Sequence, residues 1–352
     1  MRILFVLPAP VRIPMGGAAV VYRHAGELAA RGHRVTVAAP QRGDGVRGLA
    51  MRAAVRVRDA VHGVPDRPLL GAEGVQTVEP PSWRALSAGA YDAVIATGHQ
   101  TAPWVAALVG DRSAVGFYFL QHDERHLDPR AAGTWALPLV RVAVSGWVAA
   151  TVRAEGWAVA GVVPNAVDPV DFAVDAPISG RSERVVALYH RLPSKGPDVL
   201  VEALDRLREQ RPAVEATVVS ARPPSHRLPS WVEVVVRPPQ GRLREIYNGA
   251  AVCLHTSRTE GWGLVPMEAA ACGCAVVATA SGGPSEFLTP GRSLVEVPVG
   301  DAGALAAEAA ALLEDDRRRV ALAEAGIADV ARFSWDRSTD ALEQILLDHA
   351  RR

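Results

Sequence analysis

The stretch Leu254-His-Thr-Ser-Arg-Thr-Glu260-Gly-Trp-Gly-Leu-Val-Pro-Met-Glu268 runs on through an alanine-rich segment to Gly282-Gly-Pro-Ser-Glu286. It predicts the end of a buried strand, a glycine-punctuated loop and a helix that starts near Pro266, because proline suits a first helical turn. Glycines in the loop let backbone approach a ligand closely. The amides that lead into the helix favour a phosphate group. We therefore interpret the stretch as a ligand-binding element.

Two carboxylates frame this element. Glu268 can accept hydrogen bonds from a ribose diol, and Glu260 can accept them from the hydroxyls of a sugar. The two are not expected on one helix face, because the loop between them breaks helical spacing. The alternative for Glu268 is a structural one, a glutamate in the first helical turn that stabilises the helix dipole.

The Glu-x7-Glu spacing around Gly-aromatic-Gly-Leu-Val-Pro resembles the retaining nucleotide-sugar glycosyltransferases of family 4. The resemblance implies the α/β fold called GT-B, in which two Rossmann-like, doubly wound parallel-sheet domains face a cleft and a C-terminal helix crosses back to the first domain. We expect an acceptor-side domain over residues 1–175, joined by the helix 335–352, and a donor-binding domain over residues 176–334.

Composition limits the alternatives. A length of 352 residues corresponds to about two domains, and a formal net charge of +0 argues against a nucleic-acid partner. No apolar run reaches the ~18 residues of a membrane span and no signal-peptide pattern is present, so a cytoplasmic protein is expected. Its three cysteines predict buried thiols and not disulfides. Asp-x-Asp is absent, which predicts a site without a metal.

The first half offers two candidate positions. An apolar strand, Arg2 to Leu7, leads through a proline-rich loop to Gly16-Gly17, which the resemblance places against the donor diphosphate and the acceptor. A second apolar strand ends at Gln121-His122-Asp123-Glu124, and open α/β sheets keep their chemistry at such strand ends. The family resemblance puts His122 beside the transferred sugar, and the alternative is that His122 only turns the chain. The Gln-x-Asp-Glu pattern also resembles the one found in polysaccharide rhamnosyltransferases. This resemblance suggests a branch of the family that acts on surface glycans or natural products.

In the second half, a strand ends at His190 and continues as Arg191-Leu-Pro-Ser-Lys195-Gly196. This is similar to the family motif Gly-Arg-x4-Lys-Gly, with His190 in place of the glycine, and it implies that Arg191 and Lys195 bind the diphosphate. Lys195 is the only lysine in the sequence. Its retention in a chain that otherwise uses arginine indicates a site that needs a compact point charge. The loop at Arg237 is where relatives hold the nucleotide base.

Five arginines lie between residues 42 and 62, namely Arg42, Arg47, Arg52, Arg56 and Arg58. A solvated basic face is the favoured interpretation, and contact with the inner face of a membrane stays an alternative.

The resemblance as a whole implies metal-independent transfer of a hexose, with retention, from a nucleoside-diphosphate sugar to a hydroxyl of a glycan, a lipid-linked glycan or a small molecule. No cofactor is expected besides the donor substrate. A GT-B nucleotide-sugar epimerase and a non-catalytic nucleotide-sugar binding protein are the alternatives. The base, sugar, acceptor and oligomeric state are left open. The candidate catalytic residues are His122, Glu260, Arg191 and Lys195. The candidate donor-binding residues are Gly16, Gly17, Arg191, Lys195, Arg237, Glu260, Gly261, Trp262, Gly263, Leu264, Val265 and Glu268.

Overall fold

The computed structural model describes residues 1–13, 15–41, 70–110 and 114–350. The arginine-rich stretch 42–62, with the membrane contact inferred from it, lies outside these residues. The chain forms two compact units, Met1–Pro164 with Trp335–Arg352, and Asn165–Ser334. The division thus falls after Pro164, where the sequence placed it after residue 175.

The first unit is built on a parallel sheet in the order β3-β2-β1-β4-β5-β6-β7. Its central strands are continuous apolar runs without alternation, because helices cover both faces of such a sheet. The strands are Arg2–Val6 (β1), Arg34–Ala38 (β2), Val75–Val78 (β3), Ala93–Ala96 (β4), Val115–Leu120 (β5), Val140–Ala143 (β6) and Gly161–Val162 (β7). The α-helices of this part are Gly16–Ala30, Ala102–Val109 and Gly146–Ala154.

The C-terminal helix, Trp335–Ala350, belongs to the first unit. Its Glu343 accepts hydrogen bonds from Arg31 at 2.8 Å and pairs with His33 Nε2 at 2.7 Å. His24 Nδ1 lies 3.0 Å from the Thr339 hydroxyl. His24 is fully buried, and burial lowers its pKa to about 3. His24 and His33 therefore hold the C-terminal helix in place.

The second unit has a parallel sheet in the order β10-β9-β8-β11-β12-β13. Its strands are Arg184–Tyr189 (β8), Glu215–Ser220 (β9), Val232–Val236 (β10), Val252–His255 (β11), Ala275–Thr279 (β12) and Leu294–Val297 (β13). Its α-helices are Pro197–Gln210, Gln240–Gly249, Leu264–Ala271, Ala302–Glu314 and Asp316–Val330. The two sheets confirm the expected pair of doubly wound parallel-sheet domains.

Within each sheet, the strand order reverses at one pair of neighbours, β1 and β4 in the first unit and β8 and β11 in the second. Open α/β sheets bind ligands outside the carboxyl ends of the strands at such a point. The loops that follow these four strands are therefore expected to form the ligand site.

Cys253, Cys272 and Cys274 are free and buried, as expected for packed thiols. Across the described ranges, we find no helix with the length and apolar character that a membrane span requires.

Candidate functional site

The loop after β8 is fastened to the loop after β11. Gly196 has a left-handed φ of 61°, and a Cβ there would lie 2.1 Å from the Thr256 carbonyl oxygen, so only glycine fits. The Thr256 hydroxyl donates to the Lys195 carbonyl at 3.0 Å, and the Arg258 amide donates to the Ser194 carbonyl at 2.7 Å. These contacts bring the Lys195 side chain to the loop that carries Glu260.

Lys195 and Glu260 form an ion pair. Lys195 Nζ donates to Glu260 Oε2 at 2.7 Å, and the Ser257 hydroxyl donates to the same oxygen at 3.1 Å. His255 Nε2 lies 3.5 Å from that oxygen. The Glu260 backbone is tied to the segment 281–283, because its amide donates to Ser281 and its carbonyl accepts from the Gly283 amide. The structure thus brings together two of the candidate residues in a fixed geometry.

The Arg191 side chain is hydrogen-bonded to the loop that carries Pro223. Its guanidinium donates from Nε to the Pro223 carbonyl at 3.2 Å, and its Nη2 also contacts that oxygen. His190, which stands where the family motif has glycine, accepts a hydrogen bond on Nδ1 from the Leu192 amide at 3.1 Å. Burial, followed by the charge of Lys195, lowers the pKa of His190. His190 therefore closes the turn that carries Arg191.

The helix Leu264–Ala271 starts earlier than the sequence indicated. Gly263 precedes it with a φ of 98°, a conformation that glycine adopts readily. Pro266 lies in the first turn, and the first intrahelical hydrogen bond runs from the Met267 amide to the Gly263 carbonyl at 3.2 Å. Gly261, Leu264 and Val265 lie at this helix start, as expected for amides that lead into it.

Trp262 is a core residue. Its indole is 3% exposed, stacks on Phe287 with ring centroids 5.3 Å apart, and meets the edge of Phe333. Its Nε1 lies 3.2 Å from the sulfur of Met267. The prediction that residue 262 binds the donor is thereby limited to its backbone, since the indole is committed to packing.

Glu268 lies in the second turn of its helix, beyond the turn where a dipole acts most strongly. This position disfavours the interpretation of Glu268 as a helix cap. The Tyr247 hydroxyl donates to Glu268 Oε2 at 3.0 Å. Burial is the largest cause that raises the pKa of Glu268, to about 7, and the nearby charge of Asp171 adds to it. A half-buried carboxylate that titrates near neutrality is typical of a functional position.

Arg237 directly follows β10 and adopts a φ of 51°. Left-handed backbone is uncommon for a residue with a side chain, and such positions cluster at ligand sites. Its amide donates to the Ser220 carbonyl at 2.9 Å, which ties the turn to β9. The role of Arg237 toward a base stays a prediction.

In the first unit, the predicted glycines and the strand end at His122 come together. A Cβ on Gly17 would lie 3.2 Å from the Gln121 side-chain oxygen, so the start of the helix Gly16–Ala30 lies against the residue before His122. The next carboxylate, Glu124, accepts from the His99 amide at 2.6 Å and from the Tyr118 hydroxyl at 3.2 Å. The carboxyl ends of β4 and β5 therefore share one polar cluster.

Sequence reasoning gave no role to several residues of these two clusters: His255, Ser257, Gly196 and Tyr247 in the second unit, and His99 in the first. The His255-x-Ser257 pair at a strand end was the available signal, since polar residues there often face a ligand. Gly196 was quoted only as a motif glycine, and its contact with Thr256 depends on the adjacency of β8 and β11.

Comparison with known proteins identifies the second unit. Residues 183–315 match the family model described as glycosyl transferases group 1. Over 189 residues, the chain is 36% identical to a D-inositol 3-phosphate glycosyltransferase of Xylanimonas cellulosilytica, covering 51% of this chain and 44% of that protein. A protein of the same name from Corynebacterium aurimucosum is 37% identical over 182 residues, with 47% and 43% covered. The chain thus spans less than half the length of these curated relatives.

Solved structures share the fold at low identity. Anabaena HepE in complex with UDP-glucose superposes with a TM-score of 0.77 at 19% identity, covering 99% of this chain and 100% of that one. Sucrose-phosphate synthase from Thermosynechococcus elongatus gives a TM-score of 0.77 at 17% identity, with 99% of each chain covered. The group 1 match over residues 183–315 and the Glu260-x7-Glu268 element support the resemblance to glycosyltransferase family 4, and the chain as a whole has the two-domain GT-B fold.

Proposed function

We propose that this protein is a retaining, metal-independent glycosyltransferase that moves a hexose from a nucleoside-diphosphate sugar to an acceptor hydroxyl. The observation that carries the proposal is the Lys195–Glu260 ion pair, 2.7 Å long, in the loops after β8 and β11, with Glu268 on the helix that follows the same glycine-rich loop. It is supported by the group 1 match over the same residues. The named relatives transfer to inositol 3-phosphate, and the acceptor here is assigned only as a glycan, a lipid-linked glycan or a small molecule.

The donor diphosphate is assigned to Lys195, to Arg191 and to the amides at the start of the helix Leu264–Ala271. Two cations and a positive helix end oppose the negative charge that develops on the leaving group. For this role Lys195 must turn from Glu260, and Arg191 must turn from the Pro223 carbonyl.

The two glutamates are assigned to the two sugar rings of the donor. Glu268 is assigned to the ribose diol, which donates to its carboxylate, and Glu260 is assigned to the hydroxyls of the transferred sugar. In the first unit, Gly16, Gly17 and His122 are assigned to the acceptor side, with His122 as the group that positions the sugar. These assignments follow the family resemblance residue by residue.

The reaction itself follows the front-face route. The bond between the anomeric carbon and the diphosphate oxygen breaks, and the acceptor oxygen forms its bond on the same face. The acceptor proton passes to the departing diphosphate oxygen, so no enzyme carboxylate serves as nucleophile. The protein stabilises the separated charges and excludes water.

The test is a turnover assay of the full chain with a panel of nucleoside-diphosphate sugars and acceptor alcohols in the presence of EDTA. We expect nucleoside diphosphate to be released only when donor and acceptor are both present, and NMR of the product to show the donor's anomeric configuration. A new nucleotide sugar formed from donor alone would instead identify an epimerase. Binding of the donor without any turnover would identify a binding protein.

A cytoplasmic location, with contact at the inner face of a membrane, remains part of the proposal. It is tested by recovery of the native protein in washed membranes of its own cells. Release by high salt is expected if anionic lipid holds it, because such contacts are screened.

A further inference from the structure

His255 is the last residue of β11, and neither the sequence motifs nor the proposed function gives it a role. The strand is otherwise apolar and buried, and His255 itself is 8% exposed. A histidine on such a strand needs a polar partner. Its Nε2 lies 3.5 Å from Glu260 Oε2.

That nitrogen is incompletely bonded in the free protein. Among the described residues, no acceptor forms a hydrogen bond of good geometry with His255 Nε2, although the atom is buried. A buried polar atom in this condition is costly, so a shift that shortens the 3.5 Å contact is favoured. The only step needed is a closer approach of the Glu260 carboxylate.

Lys195 competes for the same oxygen. Its Nζ lies 2.7 Å from Glu260 Oε2, and the Ser257 hydroxyl lies 3.1 Å from it. When Lys195 turns to a diphosphate, the Glu260 side chain, which is 14% exposed, loses its nearest cation. The Ser257 hydroxyl still donates to this largely buried carboxylate, and a second donor near the same oxygen offsets the loss of the cation.

We propose that His255 is a positioning residue that takes over Glu260 Oε2 when Lys195 engages the donor diphosphate. It thereby holds the Glu260 carboxylate on the hydroxyls of the donor sugar. A neutral imidazole with its proton on Nε2 is sufficient as the donor. The inference rests on the proposed function and assigns a further residue to the sugar half of the donor site.

The test compares three variants in the full chain. His255→Leu removes the donor, His255→Gln keeps an amide nitrogen near the position of Nε2, and His255→Asn keeps an amide that is too short to reach Glu260. We expect kcat/KM for the nucleotide sugar to fall about tenfold or more in the Leu and Asn variants, as for loss of a hydrogen bond to a charged group. The Gln variant should keep most of the activity.

Two readouts separate positioning from general damage. Affinity for the nucleoside diphosphate alone should fall by less than kcat/KM for the nucleotide sugar, because the diphosphate is assigned to Lys195 and Arg191 and only the sugar is assigned to Glu260. Leu254→Val on the same strand trims a packed side chain, and it should lower stability without the selective loss of nucleotide-sugar turnover.

A double-mutant cycle gives the decisive outcome. If His255 acts through Glu260, then His255→Asn combined with Glu260→Gln should be no slower than Glu260→Gln alone. Additive losses, or wild-type turnover in both the Leu and Asn variants, would overturn the inference while leaving the proposed function standing. Failure of the wild-type protein to bind any nucleoside diphosphate or to turn over any donor would overturn both.

Discussion

Lys195 combines two unusual properties, since it is the only lysine of the chain and its ammonium pairs with Glu260 at 2.7 Å. We expect Lys195→Ala to lower kcat at saturating acceptor by about 10²–10³-fold, as for removal of one group that stabilises developing charge. Lys195→Arg should rescue poorly, because a planar guanidinium does not replace a compact ammonium. Steady-state kinetics measure both.

The matched control is Arg206→Ala, which removes an exposed cation of the same unit that pairs with Glu202 at 2.7 Å. Its turnover should equal that of the wild type, because exposed pairs contribute little. Full activity in Lys195→Ala would refute the assigned role.

The raised pKa of Glu268 predicts that affinity for the nucleotide sugar depends on pH. Its pKa in the free protein is about 7, raised mainly by burial, and a ribose diol that donates to it favours the ionised carboxylate. Affinity for a nucleotide sugar should therefore weaken as pH falls through 7, by up to about tenfold per pH unit. The diphosphate of a nucleotide sugar has no ionisation near neutrality, so calorimetric titration at several pH values isolates the protein group.

Glu268→Gln supplies the control for that profile. The glutamine variant should bind more weakly and should lose most of the pH dependence around 7. An unchanged slope in the variant would place the titrating group elsewhere.

The raised pKa of Glu268 also makes the stability of the fold depend on pH. The folded state binds a proton at Glu268 that the unfolded chain, with an ordinary pKa of 4.5, has already released. This group's contribution to the free energy of unfolding therefore falls as pH rises from 4.5 to 7, and donor binding counteracts that loss.

The residues of the motif could be predicted from the sequence because Glu260, Glu268 and Lys195 occur at recognisable spacings. Their partners could not. Glu260 pairs with Lys195, which reaches it only because β8 and β11 are neighbours in the sheet, and that adjacency is a tertiary fact.

At the scale of elements, the loops after β8 and β11 depend on Gly196. A Cβ at that position would lie 2.1 Å from the Thr256 carbonyl, at a φ of 61°. Gly180 is the matched control, since its φ is 71° and nothing lies within 4 Å of the added Cβ. Gly180→Ala should cost about 1–2 kcal/mol from its backbone conformation alone.

Gly196→Ala should cost that amount and about 1–3 kcal/mol more from the clash. It should also weaken binding of the nucleotide sugar, because Lys195 moves away from its place beside Glu260. Urea unfolding and calorimetric titration measure the two effects. Equal losses of stability in the Gly196 and Gly180 variants would show that the two loops are not fastened at this point.

A second prediction concerns His24 and the C-terminal helix that it contacts. Burial, with the charges of Arg31 and Arg23, lowers the pKa of His24 to about 3, and the unfolded chain titrates near 6.5. Between these values the unfolded state binds the extra proton, so the free energy of unfolding should fall with decreasing pH by up to about 1.4 kcal/mol per pH unit. In His24→Phe this part of the slope should disappear.

Denaturation of both proteins at several pH values between 5 and 7 tests the prediction. The variant should lose relatively less stability on acidification, even if it is less stable at pH 7 through the missing bond to Thr339. If the free energy of unfolding changed equally with pH in both proteins, the titration of His24 would not be the cause of the pH dependence.

Most elements follow from short-range patterns. Apolar runs predicted β1 from Arg2 to Leu7 and the end of β11 at Leu254, each within one residue of the observed bounds, because strands covered on both faces select such runs. The start of the helix Leu264–Ala271 was placed too late. Pro266 fits any position of a first turn, so the sequence alone did not locate Gly263 as the residue before the helix.

At the scale of the whole molecule, the sequence predicted two doubly wound units and the return of the C-terminal helix to the first of them. The division of the chain after Pro164 depends on which contacts each residue makes, and composition does not carry that information. Donor recognition is assigned to the second unit, and the acceptor side is assigned to the first.

On the proposed function, the second unit binds a nucleoside diphosphate through Lys195 and Glu268 without a metal. The most direct measurement is a calorimetric titration of the full chain with UDP, GDP and dTDP in EDTA, repeated with Lys195→Ala. We predict that one of the three nucleotides binds the wild-type protein in EDTA and that Lys195→Ala weakens its binding at least about tenfold. Binding that requires added metal, or binding that Lys195→Ala leaves unchanged, would contradict the account.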